Sequence, residues 1–205
     1  MNTDGACVHL VDDEAAVRDA LGFLLQMHGL QTATYASGPA LLAAADAAAL
    51  RGCIVLDVRM EPLSGLQVHD ALVARGVPLP VLFLSGHGDI PMAVEALQKG
   101  ALDFVEKPFG DHALVERIQR ALALEAAGHA ARGERARDAA VLSSLTEREL
   151  AVMRRVAAGR LNKVIADELC ISVRTVEVHR ARAFAKLGVR SSAELATLLT
   201  RLAAT

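Results

Sequence analysis

Up to about residue 124 the chain alternates five times between a short apolar run and a stretch of helical periodicity. The runs are 8–11, 32–35, 53–56, 80–84 and 102–105. The helical stretches carry Val17, Leu21, Leu24 and Leu25, then Leu41 and Leu42, then Leu66, Val68 and Leu72, then Val94 and Leu97, and last Leu114, Ile118 and Leu122. Short strands alternating with helices predict a parallel sheet covered on both faces. The crossovers share one hand, so the five strand ends fall on one edge. Asp89 and Asp111 are expected to open the fourth and fifth helices, and Gly100 to end the fourth.

Polar groups close these runs: Asp12 and Asp13 the first, Asp57 the third, Ser85 the fourth and Lys107 the fifth. Singly, each has a plainer reading. Asp12, Asp13 and Glu14 suit a helix N-terminus through its dipole. Ser85 suits a turn, Lys107 a solvated surface and Phe104 the core. Gathered on one edge, where open α/β sheets place their sites, they imply one pocket. Three close carboxylates repel unless a cation intervenes, and a hard divalent ion with oxygen ligands, Mg²⁺, answers that need. The Lys107 ammonium and Ser85 hydroxyl then face a gap suited to a tetrahedral anion.

Charge separates the chain into two parts. Residues 1–140 hold 11 Lys and Arg against 18 Asp and Glu, a net of −7, whereas residues 141–205 hold 11 against 6, a net of +5. An acidic part joined to a basic part predicts two domains with different partners, nucleic acid among them. No run approaches the ~20 apolar residues of a membrane span, and no secretory leader pattern opens the chain. Cys7, Cys53 and Cys170 lack metal or disulfide spacing and are expected as reduced core residues in a cytoplasmic protein.

The acidic pair, the lone Asp57, Ser85 and Lys107-Pro108 resemble, in order and spacing, the receiver domain of bacterial two-component response regulators, over residues 7–124. The stretches Ser85-Gly-His-Gly-Asp-Ile and Gly100-Ala-Leu-Asp-Phe-Val-Glu-Lys-Pro-Phe resemble the FixJ subfamily. The resemblance implies a flavodoxin-like (βα)₅ fold with sheet order 2-1-3-4-5, and phosphorylation on Asp57 by a sensor histidine kinase. It implies Mg²⁺ held by Asp13, Asp57 and the backbone carbonyl of Arg59, with Asp12 helping through water. Lys107 would pair with the phosphoryl group beside a cis bond to Pro108. Ser85 would move toward that group and Phe104 rotate into the space vacated. One departure is Glu61, where relatives often carry Pro; Pro62 follows and Gly65 keeps its offset. His87 and Arg59 overhang the site and are expected to tune access of water.

Residues 125–140 lose large apolar side chains and become rich in Ala, Glu and Arg, which predicts a partly helical linker. Beyond it, Thr146 with Glu149 and Ser191 with Glu194 form capping-box patterns, and Asn162 and Ser172 are expected N-caps. Four short helices result, the middle two in helix-turn-helix layout with a cation-rich second member. Leu145-Thr-x-Arg-Glu, Ala158-Gly, Asn162-Lys-x-Ile-Ala, Leu169-x-Ile-Ser, Thr175-Val-x-x-His and Lys186-Leu resemble the LuxR-type domain across residues 141–205. The implied fold is thus α/β with a second, smaller all-α four-helix domain. Glu177, Val178, Arg180 and Ala181 would face bases, and Lys163, Arg174, Thr175, His179, Arg182 and Lys186 would approach the backbone of promoter DNA. Leu198, Leu199 and Leu202 serve either a dimer face or the core.

The expected protein is a transcription regulator rather than an enzyme, catalysing only its own phosphorylation and dephosphorylation. It would dimerise on phosphorylation, engage RNA polymerase as an activator and avoid membranes. Two alternatives stay open. One is a receiver that dimerises without phosphate. The other is an Asp-nucleophile phosphatase, which Arg59 disfavours by standing where that chemistry wants a second carboxylate.

Overall fold

A computed structural model describes the backbone of residues 5–47, 49–86 and 90–203, and their side chains except at 47, 90, 91 and 201–203. The expected cap Asp89 and the candidate His87 lie outside the described residues. The chain divides into two compact units, Met1–His129 and Ala130–Thr205.

The first unit alternates strand and helix: β1 (Cys7–Val11), α1 (Ala15–Met27), β2 (Thr32–Tyr35), α2 (Gly38–Ala47), β3 (Gly52–Asp57), α3 (Gly65–Ala74), β4 (Val81–Ser85), α4 (Ile90–Gln98), β5 (Asp103–Glu106) and α5 (Asp111–Ser143). All pairings are parallel, in the order β2-β1-β3-β4-β5. This is the flavodoxin-like arrangement. Side chains alternate across the sheet. Val8, Leu10, Cys53, Val55, Leu82 and Leu84 pack with Leu21, Leu25, Leu114 and Ile118 on one face. Val11, Ile54, Leu56, Val81 and Phe83 pack with Leu41, Val68 and Leu72 on the other. Burying each Leu or Phe contributes about 1.5–3 kcal/mol, and β3 is buried throughout, so Asp57 ends a strand fixed from both sides.

Buried polar groups on this sheet find partners. His9 is 3 % exposed. Its Nε2 donates to the Arg51 carbonyl at 3.1 Å, which leaves Nδ1 to accept from the Tyr35 hydroxyl at 3.0 Å. Burial holds His9 below the usual imidazole range, against the raising effect of the Arg51 carbonyl. Burial, with the charges of Cys7 and Glu125, pushes the Cys53 thiol up to about 12. Cys7, Cys53 and Cys170 carry free thiols, but only Cys53 is buried as expected; Cys7 is half-buried and Cys170 exposed.

Helix α5 runs through Gly128 and Gly133 to Ser143. Glu125, the first residue of the expected linker, is buried, and Arg51 donates Nε to its Oε1 at 2.7 Å.

The second unit holds the end of α5, then α6 (Glu147–Ala157), α7 (Asn162–Leu169), α8 (Val173–Leu187) and α9 (Ser192–Ala203). Val152, Met153, Val156, Ile165, Val176, Ala183, Leu187, Leu195 and Leu198 form its core, with Leu199 packed against them. Leu198 and Leu199 therefore belong to the core, and the Leu202 side chain lies outside those described. The Thr146–Glu149 capping box forms in both directions, at 3.3 and 2.9 Å. Ser191 accepts from Glu194 N, but the Glu194 carboxylate returns to Arg190 N, one residue early. Ser172 caps α8. Asn162 does not cap α7: Leu161 holds that place, and Asn162 is the first helical residue, its side chain turned to Arg180. Cys170 closes α7 in the left-handed region at φ 53°, which turns the chain sharply into α8.

Candidate functional site

The carboxyl edge of the sheet brings Asp12, Asp57 and Lys107 into direct contact. Lys107 Nζ donates to Asp57 Oδ1 at 2.8 Å and to Asp12 Oδ2 at 3.2 Å. The partners are 95 and 50 residues distant in sequence, and the parallel sheet alone unites them. Each carboxylate is also held by backbone: Glu14 N donates to Asp12 Oδ1 at 2.9 Å, and Arg59 N to Asp57 Oδ2 at 2.7 Å. Asp12 is 1 % exposed and Asp57 7 %. Burial draws the Lys107 ammonium down, but the hydrogen bond and charge of Asp57, then those of Asp12, leave it raised overall. The cation expected between the acidic groups is thus supplied in part by the chain itself.

Asp13 is exposed, and among the described residues its carboxylate makes no hydrogen bond or ion pair with that triad. It lines an open cavity of about 490 Å³ with Arg59, Met60, Glu61 and Ser64. The β3–α3 loop beside it is braced by Gly65 N, which donates to Val58 O at 2.9 Å, and by a capping box between Ser64 and Gln67. Ser85 is buried, and its carbonyl accepts from Lys107 N at 2.6 Å. The Lys107–Pro108 bond is cis, as is Glu61–Pro62. Phe104 is half-buried, its ring 6.5 Å from that of Phe83, which also meets His69 in a T-shaped arrangement with centroids 5.6 Å apart. Sequence patterning did not single out His69 or Phe83; a buried aromatic run gives no signal that separates it from ordinary core.

On α8 the structure sorts the expected DNA contacts. Arg174, Glu177, Val178, Ala181 and Arg182 are exposed, as is Lys163 near the start of α7. Thr175 is half-buried and its hydroxyl lies 2.8 Å from Ser172 Oγ. Three of the expected contacts are instead engaged or turned inward within the domain. Arg180 does not face outward with Glu177 and Ala181. It lies about 40° from Val176 around the helix, within the buried arc, where it donates to Asn162 Oδ1 at 3.2 Å and Ser192 Oγ at 3.3 Å and stacks 5.1 Å from the Phe184 centroid. His179 also turns inward, its Nδ1 buried without a hydrogen-bond partner. Lys186 donates to Glu149 Oε2 at 2.7 Å and to the Ser144 carbonyl at 3.1 Å, so it ties α8 to α6 rather than offering a free cation.

A (βα)₅ unit with a caged strand-end carboxylate, joined to a small helix-turn-helix unit, defines the class of phosphorylation-controlled DNA-binding regulators. Comparison with known proteins gives the family. Residues 8–119 match the response regulator receiver domain, and residues 143–199 match the bacterial regulatory proteins of the luxR family. The chain is 49 % identical over 193 residues to the C4-dicarboxylate transport transcriptional regulatory protein DctR of Rhodobacter capsulatus, covering 93 % of this chain and 98 % of that protein. It is 45 % identical over 188 residues to the transcriptional regulatory protein FixJ of Rhizobium meliloti, covering 90 % of each. The solved response regulator StyR superposes with a TM-score of 0.90 at 37 % identity, covering 96 % of this chain and 99 % of that one. The chain belongs to the two-component response regulators of the FixJ type, with a LuxR-type DNA-binding domain. A receiver domain implies a histidine kinase partner, and a LuxR-type domain implies DNA. Among the described residues no helix is long and apolar enough to cross a membrane.

Proposed function

We propose that Asp57 accepts a phosphoryl group from a sensor histidine kinase and that this modification controls promoter binding through α8. The observation that carries the proposal is the Lys107 ammonium shared between Asp57 and Asp12 at the edge of the sheet. A carboxylate held on one oxygen by Lys107 and on the other by Arg59 N is kept in one orientation for in-line attack on phosphorus. The leaving group is the kinase imidazole. The same ammonium can follow the incoming phosphoryl oxygens and offset their charge.

Asp13, Asp57 and the Arg59 carbonyl suit Mg²⁺, which is held by one or two carboxylates and keeps several waters. Asp13 and Arg59 border one open cavity, which leaves room for those waters. When bound, the ion would neutralise charge on the phosphoryl group. Asp12, 1 % exposed and hydrogen-bonded to Glu14 N and Lys107, would act through water as in the receiver family.

After transfer, the phosphoryl oxygens attract the Ser85 hydroxyl, and Phe104 turns into the space it leaves. That repacks the face of α4, β5 and α5, where Val94 and Leu97 are each 47 % exposed, and favours a dimer. The dimer binds paired half-sites and recruits RNA polymerase. The chain catalyses only its own phosphorylation and dephosphorylation. Footprinting of genomic promoter fragments tests the coupling. Acetyl phosphate with Mg²⁺ should strengthen protection by the wild type and leave Asp57→Asn unchanged. Equal protection by both proteins under all conditions would favour a receiver that dimerises without phosphate.

A further inference from the structure

Helix α8 carries cations of two kinds. Arg180 and Lys186 are engaged within the domain. Arg174 and Arg182 are exposed, and among the described residues no hydrogen bond or ion pair holds either. Residues turn by about 100° along a helix, so Arg174, Glu177, Val178, Ala181, Arg182 and Ala185 form one outward arc, and all six are exposed.

Two members of that arc have no intramolecular reason to be there. Val178 is 42 % exposed, whereas Val176 beside it is fully buried. Glu177 has no hydrogen bond or ion pair among the described residues. A carboxylate on a face that approaches phosphates is repelled, unless a donor on a base meets it. In the major groove cytosine presents its N4 amine as a donor, and thymine presents a methyl group. Adenine also offers an amine, but its N7 acceptor lies alongside and would repel a carboxylate. Ala181 and Ala185 are short and let the helix approach the base edges closely. Arg174 and Arg182 stand about 12 Å apart along the axis, on either side of the reading pair.

We propose that Glu177 and Val178 set the base preference of this chain. Glu177 accepts a hydrogen bond from N4 of a cytosine, and Val178 packs on the methyl group of a thymine in the same half-site. Arg174 and Arg182 hold flanking phosphates, and Arg180 orients α8 from inside without touching DNA. The inference rests on α8 being the helix that enters the groove, and it adds which bases that helix selects.

The test uses the full chain, treated with acetyl phosphate, and a pool of random-sequence DNA duplexes. Sequencing of the retained fraction should give a half-site containing cytosine and thymine. Glu177→Ala should lose discrimination at the cytosine alone, by roughly tenfold or more. Val178→Ala should lose it at the thymine alone. Replacing that thymine by uracil, which lacks the methyl group, should weaken the wild type and not Val178→Ala. Both side chains are exposed, so circular dichroism and melting should be unchanged. Retention of the same motif by Glu177→Ala, or an equal effect of uracil on both proteins, would overturn the base assignment while leaving DNA binding intact. A wild-type chain that enriches no duplex at any salt concentration would overturn the groove-helix reading and the base assignment together.

Discussion

A Cβ built on Gly65 would collide with the main-chain oxygen of Asp57. The obstacle is backbone, not the tip of a flexible side chain, so the loop that carries the phosphoacceptor must shift to admit it. Gly65→Ala should cost about 1–3 kcal/mol in urea unfolding and slow acetyl-phosphate labelling; unchanged unfolding and labelling would show that the loop yields freely. The fixed spacing from Asp57 to Gly65 was visible in the sequence, but its cause is a contact that spacing alone does not reveal. His69 gave no such sign. It is 3 % exposed, its Nδ1 lacks a hydrogen-bond partner, and its ring meets Phe83 edge-on. Burial holds its pKa below the ordinary 6.5, Asp70 opposes this, and Lys99 adds to it. The unfolded chain therefore binds the proton more readily. The contribution is complete above pH 6.5 and is lost as pH falls toward the lower folded value. Unfolding measured on either side of pH 6.5 should show stability dropping on the acid side, and His69→Leu should reduce that slope. His9, lowered in the same direction, contributes in the same sense.

Among the elements, the strand–helix rhythm was legible because each run signals its own period. Errors stayed at the ends: the fifth strand, expected at 102–105, is Asp103–Glu106. The orientation of α8 was harder to read. Its cations all look alike in sequence, whereas the partners that bury Arg180, Asn162 and Ser192, lie on other helices 18 and 12 residues away. Arg180→Ala should lower stability by about 1–2 kcal/mol, a charge-assisted pair discounted for partial exposure. It should leave the salt dependence of DNA binding unchanged, whereas Arg182→Ala should flatten it by about one phosphate contact. A flatter slope for Arg180→Ala would mean its guanidinium reaches DNA. The tie between α8 and α6 is sensitive to acid. Lys186 first, then the Thr146 amide, pull the Glu149 carboxyl down to about 2, against the opposing effect of burial. A carboxylate lowered in the folded state stabilises fully above its ordinary 4.5, and that stability is lost as pH falls toward 2. Unfolding of Lys186→Met across that range should show a weaker acid dependence than the wild type; an identical profile would remove the pair from the account.

For the whole molecule, the two-part character was legible from charge, because a sum over many residues survives any local misreading. The conjunction of Asp12, Asp57 and Lys107 was legible too, because topology fixes where parallel strands end. The course of α5 was not. Its exposed middle carries no apolar stripe, and the ion pair at Glu125 joins residues 74 apart in sequence. What unites the two units functionally is the claim that one carboxylate receives the signal. The most direct measurement is intact-protein mass and peptide mapping after incubation with acetyl phosphate and Mg²⁺. A single phosphoryl group on the peptide containing Asp57, absent from Asp57→Asn and lost on removal of Mg²⁺, is the predicted result. An unlabelled wild-type chain, or a label retained by Asp57→Asn, would contradict it.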